Sequence, residues 1–416
     1  MNIMFVHQNM PGQYREFVQW LVGRGVHNIV FLTQRKNAPK IDGVRTIVYK
    51  PHNVAKDDAY GLSRTWENAT GSGFGAAQAA SKLKDTGFTP DIIIGHVGWG
   101  ELTFMKEVYP NTPIIGFFEY YYSAHGGPVG FDPESPVSAH SPYILAANNA
   151  VPLVNIEVVD LGHCPTYWQR DRFPESFHDK CYVCHDGIRT DTLLPDPDVE
   201  LTLGRVDRAL TRADDDIVTY MARNLETTRG FHQFMRALPG IQAGHPNARV
   251  LVIGGNDTSY GGKSKHPGGL RGQMEAEVGD RVDWSRVHFL GQVPFEDYQK
   301  IIQISKCHLY LSMPFVLSWS CLESMSMGAT IVASDVAPVR EAITHGETGL
   351  IVDFFDPDAI AAQVVDVLQN PETYAHIGPA ARDHVVKTYD FHTVCLPEHI
   401  RQINDLVPEA KRMALP

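Results

Sequence analysis

Short, wholly apolar runs recur along this chain, separated by stretches of helical periodicity, and this alternation limits its fold more than any other feature. In the first half, residues 3–6, 29–33, 46–49, 91–94, 113–117 and 182–183 read as strands. Strands that are apolar along their whole length need cover on both faces, the condition of a parallel sheet flanked by helices. Residues 13–24 supply one such helix: Tyr14, Phe17, Val18, Leu21 and Val22 recur at the spacing of one helical face. A second series of strands follows at 217–222, 249–254, 287–290, 308–312, 330–333 and 350–352, and the chain reads as helical from Asp356 onward. A length of 416 residues suits two such sheets better than one. The expectation is therefore α/β, with two doubly wound domains facing a cleft in which a ligand would lie. The boundaries are predicted at 1–190, 191–388 and 389–416, the last a helical segment returning to the first domain. Residues 187–205, rich in Asp, Pro and Thr, read as the linker. Residues 51–76 and 255–272, polar and glycine-rich, read as loops, the former facing a substrate.

Composition removes several classes. With 36 basic against 48 acidic residues the formal net charge is −12, which argues against a general nucleic-acid binder. The first residues enter a strand without a basic, then apolar, leader, and no window approaches the ~18 apolar residues of a membrane span. A cytoplasmic location is expected; peripheral membrane contact stays open, and the oligomeric state is not legible. Cys181, Cys184 and His185 match the C-x-x-C-H haem-attachment spacing. Tyr182 and Val183 between them are strand-like, so two strand cysteines are the expected reading and no cofactor is assigned.

The segment 308–341 carries the most chemistry. A strand, a proline-containing loop, a helix with Glu323 in its first turn, and a second strand place a carboxylate and free backbone N–H groups at the carboxyl edge of a parallel sheet, where open α/β sheets bind nucleotides. Glu323 reads either as an acceptor for two ribose hydroxyls or as the partner of Ser320 in an S-x-x-E capping box. Arg223 lies just beyond a strand, and Arg229 immediately before Gly230 and a helix starting near Phe231. Two guanidinium groups beside a helix N-terminus suit a diphosphate; the ordinary alternative is a surface pair with Glu226. Gly12 ends the first strand's turn and lets backbone approach a ligand. His96 with Glu101, and Glu119 with His125, lie at strand ends where they would touch a sugar, or else belong to core and rim. Ser334 reads as a donor-side or plain turn residue. Gly254, Gly291 and Val293 end two further strands and suit a nucleobase pocket. No Asp-x-Asp pair is placed for a divalent ion, so no metal is expected.

Taken together these residues resemble the retaining glycosyltransferases of family 4, which have the GT-B fold of two Rossmann-like domains. The resemblance runs over most of the chain and is strongest from about Val218 to Asp356. It implies that Arg223 and Arg229 hold the diphosphate of a sugar nucleotide, that Glu323 holds the ribose, and that His96 lies near the transferred sugar. It places Gly12 near the donor phosphates and 289–294 at the base. Three departures stand out. The family has two glutamates in an E-x7-E pattern, and here the first position is Phe315. Arg229 stands where a lysine is usual, one residue further from Arg223. His185-Asp186-Gly187 replaces an Asn-Gly turn. With Phe315 in place of the sugar-binding glutamate, backbone N–H groups of Val316, Leu317 and Ser318 are expected to reach the sugar. The implied activity is metal-independent transfer of a sugar, from a UDP-sugar by expectation, to an acceptor hydroxyl with retention of configuration. The second domain would bind the donor and the first the acceptor. Two other readings are a catalytically silent sugar-nucleotide-binding partner protein, which Phe315 favours, and a GT-B epimerase, which Glu101 and Glu119 leave open. Sugar and acceptor are not legible.

Overall fold

The computed structural model describes residues 1–135, 137–204 and 208–416; Pro136 and Arg205, the last residue of the expected linker, lie outside them. The chain forms two compact units. The first comprises Met1–His125, Val137–Gly187 and Phe391–Pro416; the second comprises Gly126–Pro136 and Ile188–Asp390.

The first unit is built on seven parallel strands: β1 (Asn2–Val6), β2 (Asn28–Thr33), β3 (Val44–Val48), β4 (Ile92–His96), β5 (Ile114–Phe117), β6 (Leu161–Cys164) and β7 (Cys181–Val183). They lie in the order β3-β2-β1-β4-β5-β6-β7. Strand β1 pairs Ile3 with Ile29 on one side and Ile92 on the other, and its inner residues are fully buried. Alternate residues feed two separate cores. Met4 and Val6 pack with Ile93 and Leu102; Ile3 and Phe5 pack with Tyr14, Phe17 and Val18 of the first helix. Leu396, Ile400 and Ile403 of the C-terminal segment join this second core.

Two sequence expectations fail here. Strand β6 was not foreseen, because its four residues include His163 and Gly162 and form no apolar run. Residues 64–76 are not loop: they open the 22-residue helix Arg64–Asp85. Its glycines lie flat against the chain. A Cβ on Gly71 would sit 2.1 Å from the Asn53 carbonyl oxygen, and one on Gly75 would sit 2.2 Å from that of Lys50. Glycine costs helix stability, but only glycine admits backbone this closely.

The second unit repeats the plan. Strands β10 (Ile217–Asn224), β11 (Arg249–Gly255), β12 (Val287–Gly291), β13 (Cys307–Tyr310), β14 (Ile331–Ser334) and β15 (Leu350–Val352) form a parallel sheet ordered β12-β11-β10-β13-β14-β15. Before it, β8 (Glu200–Leu201) pairs antiparallel with β9 (Leu210–Thr211), so part of the expected linker is structured. Order reverses between β10 and β13, and ligands of open α/β sheets bind beyond the strand ends at such a point. No helix among the described residues is long and apolar enough to cross a membrane.

Candidate functional site

In the second unit, the chain leaving β10 runs through a tight turn, Thr227–Arg229, to Gly230, which caps the helix Phe231–Gly244. Gly230 has φ +66°, and a Cβ there would meet Leu311 Cβ at 2.5 Å. The turn is therefore set by both dihedral and space. It aims Arg229 at the loop after β13. The guanidinium donates to Ser312 Oγ at 3.1 Å and to the Val316 carbonyl at 3.3 Å. It also lies 5.6 Å from the ring centre of Phe315 and 5.9 Å from that of Tyr260. Tyr220 fixes the same turn from below, its hydroxyl donating to the Arg229 carbonyl at 2.6 Å.

Arg223 is placed differently. It lies on β10 rather than beyond it, at a register shift between Met221 and Asn224, and is exposed. Neither arginine pairs with Glu226. That carboxylate is buried, and its Oε2 accepts from the N–H groups of Ser259, Tyr260 and Gly261 at 3.1, 2.9 and 2.8 Å.

Glu323 is half-buried in the helix Trp319–Ser326, whose N-cap is Ser318. It therefore lies in the second turn, not the first, and the Ser320 capping box does not form. Instead Tyr298, on the helix Phe295–Ile304, donates its hydroxyl to Glu323 Oε2 at 2.9 Å. Burial, reinforced by the Glu323 carboxylate, holds the Tyr298 phenol well above its ordinary pKa, so it stays a donor.

The backbone after Phe315 is less free than expected. The Ser318 N–H donates to the Tyr310 hydroxyl at 2.9 Å, and Leu317 is buried in the core. Of the expected N–H donors, Ser318 is thus already used. Ser334 is also occupied: its hydroxyl accepts from the Ser312 N–H and donates to the Ser312 carbonyl, tying β14 to the end of β13 inside the protein. Gly254 and Gly291 stand at the ends of β11 and β12, and Val293 is partly buried just beyond.

One further cluster in this unit groups Asp132, Glu134 and His232, with ligand-type atoms within 4.8 Å of one another. Both Glu134 oxygens already bond the Arg236 guanidinium, so a cation there would have to displace it.

In the first unit, Gly12 opens the turn Gly12–Tyr14 with φ +57°, and a Cβ there would meet His7 Nε2 at 2.8 Å. His96 ends β4 and is 3% exposed, stacked 4.1 Å from Trp99. Its Nδ1 accepts from the Gly98 N–H at 2.9 Å, so Nδ1 is unprotonated and Nε2 carries the proton that meets Glu119 Oε2 at 3.1 Å. Glu119 keeps 40% of its side chain exposed and is the reachable end of this pair. His125 is exposed on the following loop.

Glu101 does not face an acceptor. It is fully buried, its Oε1 taking bonds from Tyr49 and Gln34 at 3.1 and 3.4 Å. Burial pushes its carboxyl up to about 7. Cys184 is buried with its Sγ 3.9 Å from His399 Nε2, and Cys181 lies on β7, as two strand-region cysteines would.

Among the residues around the site, sequence reasoning did not single out Tyr260, Tyr298, Tyr310 or Ser312, and it weighed Glu226 only as the alternative partner of an arginine. Nothing in the local pattern marks them, since each acts through the packing of one element against another.

Two sheets of this order, each with loops gathered at its carboxyl ends, define a GT-B protein. Solved structures agree on the fold. Sucrose-phosphate synthase from Thermosynechococcus elongatus matches with a TM-score of 0.69 at 17% identity, covering 97% of this chain and 99% of that one. Anabaena HepE in complex with UDP and glucose matches at 0.66 and 13%, covering 97% and 99%. Residues 25–193 match the model of the glycosyl transferase family 4 group, and residues 205–384 that of the glycosyl transferases group 1. The chain belongs to the family 4, group 1 glycosyltransferases.

Curated relatives include the GDP-mannose-dependent alpha-(1-6)-phosphatidylinositol monomannoside mannosyltransferase of Mycolicibacterium smegmatis. It is 24% identical over 244 residues, 54% of this chain and 57% of the relative. A D-inositol 3-phosphate glycosyltransferase of Corynebacterium efficiens is 27% identical over 209 residues, 48% and 47% of the two chains. The chain spans about half the length of the curated relatives it matches.

Proposed function

We propose that this protein is a retaining glycosyltransferase that moves a sugar from a nucleotide diphosphate sugar to an acceptor hydroxyl. The observation that carries the reading is Arg229, held by Ser312, Val316 and two aromatic rings beside the N-terminus of the helix Phe231–Gly244, at the reversal of strand order. As the glycosidic bond breaks, negative charge gathers on the diphosphate. Arg229 and the helix N-terminus meet it without rearranging, and exposed Arg223 adds a second guanidinium as the donor settles. The two guanidinium groups do the work of a metal ion, and no cofactor enters the scheme. The leaving phosphate oxygen takes the acceptor proton, and the acceptor attacks from the face being vacated, which retains configuration.

Glu323 takes the ribose hydroxyls, with Tyr298 keeping its carboxylate oriented. Residues 254, 291 and 293 line the base. In the first unit His96 and Glu119 serve the transferred sugar, and Glu119 and His125 the acceptor. A UDP-sugar is the expected donor; the GDP-mannose named for a relative is the second to assay. The test is release of UDP from UDP-glucose and of GDP from GDP-mannose, followed with and without a panel of acceptors. Acceptor-dependent release supports transfer. Phe315, in place of a sugar-binding carboxylate, favours a silent nucleotide-binding partner as the second reading: binding of both donors with no release under any acceptor would establish it.

A further inference from the structure

Beside Arg229 lies a loop that a single buried carboxylate holds in place. Glu226 is 3% exposed, and one of its oxygens gathers three successive N–H groups, those of Ser259, Tyr260 and Gly261. Three charge-assisted bonds on one oxygen set the local path of the loop. Asn224, at the end of β10, adds a fourth tie through Ser259 Oγ at 2.7 Å. The loop so fixed delivers Tyr260, whose ring centre lies 5.0 Å from that of Phe315 and 5.9 Å from the Arg229 guanidinium carbon. Phe315 approaches the same guanidinium at 5.6 Å. Arg229 is therefore pinned by hydrogen bonds on one side and covered by two rings on another, although Tyr260 itself remains 50% exposed.

We propose that Glu226 is a positioning residue for Arg229 and acts through Tyr260. The carboxylate orders the loop, and the loop lays the tyrosine ring on the guanidinium. The ring, with Phe315, holds that group in the orientation that meets a diphosphate. A cation against an aromatic face keeps its full charge for the ligand while losing water on that side. The inference rests on the diphosphate role proposed for Arg229.

The test is isothermal titration of the full chain with UDP and with GDP, for wild type and a small set of variants. Tyr260→Ala, which removes a half-exposed ring and opens no core cavity, is expected to weaken binding of the preferred nucleotide about tenfold. Tyr260→Phe restores the affinity, because the ring and not the hydroxyl does the holding. Glu226→Ala matches Tyr260→Ala, and Glu226→Gln, which keeps an acceptor oxygen in place, lies between it and wild type. The double variant Glu226→Ala with Tyr260→Ala is no weaker than either single one, since both break one chain of contacts. Additive losses, an unrescued Tyr260→Phe, or unchanged affinity in Tyr260→Ala would each overturn the inference. Arg229→Ala separates it from the reading beneath: wild-type affinity in that variant, or no binding by the wild type, removes both. Lost affinity there with an unaffected Tyr260→Ala removes only the positioning role.

Discussion

Arg229 and Glu323 illustrate how single side chains in this protein are set before any ligand arrives. Each has a partner from a distant element: Ser312 and Val316 for the arginine, Tyr298 for the glutamate. Such preorganisation is where electrostatic catalysis gains most. Arg229→Ala is expected to lower turnover by about 10²–10³, or about 2.7–4 kcal/mol, measured as kcat for donor consumption. Glu323→Gln in the same assay should raise KM for the donor while the melting temperature stays near wild type. Glu101 presents the opposite case, a buried carboxyl whose proton is held up to about 7 by burial. Its folded-state value lies above the ordinary one, so the folded chain keeps a proton that the unfolded chain loses. The stability it contributes is full below about pH 4.5 and is lost as pH rises to about 7. Glu101→Gln should therefore reduce the fall in unfolding free energy between pH 5 and pH 8 by about 2–3 kcal/mol, read from urea titrations at the two pH values.

At the scale of elements, the helix Arg64–Asp85 shows composition overruled by packing. Its glycines, which read as loop in isolation, form the face on which the chain at Lys50 and Asn53 lies. Two Gly→Ala substitutions should then have opposite signs. Gly75→Ala drives a methyl group into the Lys50 carbonyl and is expected to destabilise by about 1–3 kcal/mol. Gly23→Ala, in the helix Arg15–Arg24 with nothing within 4 Å of its Cβ, should stabilise by about 0.5–1 kcal/mol. Chemical denaturation of the two variants beside wild type checks both. The same scale explains the Glu323 turn. A serine three residues before a glutamate matches a capping box, yet the helix begins two residues earlier than that box requires, at Trp319, with Ser318 as its N-cap. Helix starts depend on how the preceding loop is held, and Tyr310 holds this one through the Ser318 N–H.

Over the whole molecule, the chain passes from one unit to the other and back more than once, and its last segment, Phe391–Pro416, belongs to the first unit. Phe391, Leu396, Ile400 and Ile403 of that segment are at most 1% exposed, packed with Phe5, Phe17 and Ile115. Ending the chain at Asp390 would uncover this face. Each such side chain contributes about 1.5–3 kcal/mol on burial, so the loss from the four is comparable to the whole stability of an ordinary domain. The truncated protein is expected to show a lost or much lowered thermal transition for the first unit, or to aggregate, by scanning calorimetry and light scattering.

The sequence by itself determined the family and all the strands of the two parallel sheets but β6, and it singled out Arg229 and Glu323. Apolar strand runs and helical spacing are local patterns, and a parallel sheet covered on both faces is the way to satisfy them. The tertiary structure alone decided which polar groups remain free for a ligand. Glu101 and Ser334 are drawn into the interior, the Ser318 N–H goes to Tyr310, and Glu226 closes on a backbone loop instead of an arginine. Each of those outcomes depends on a partner held on another part of the fold or on how deeply a neighbouring element buries the group. Burial and long-range hydrogen bonding leave no periodic mark in a sequence.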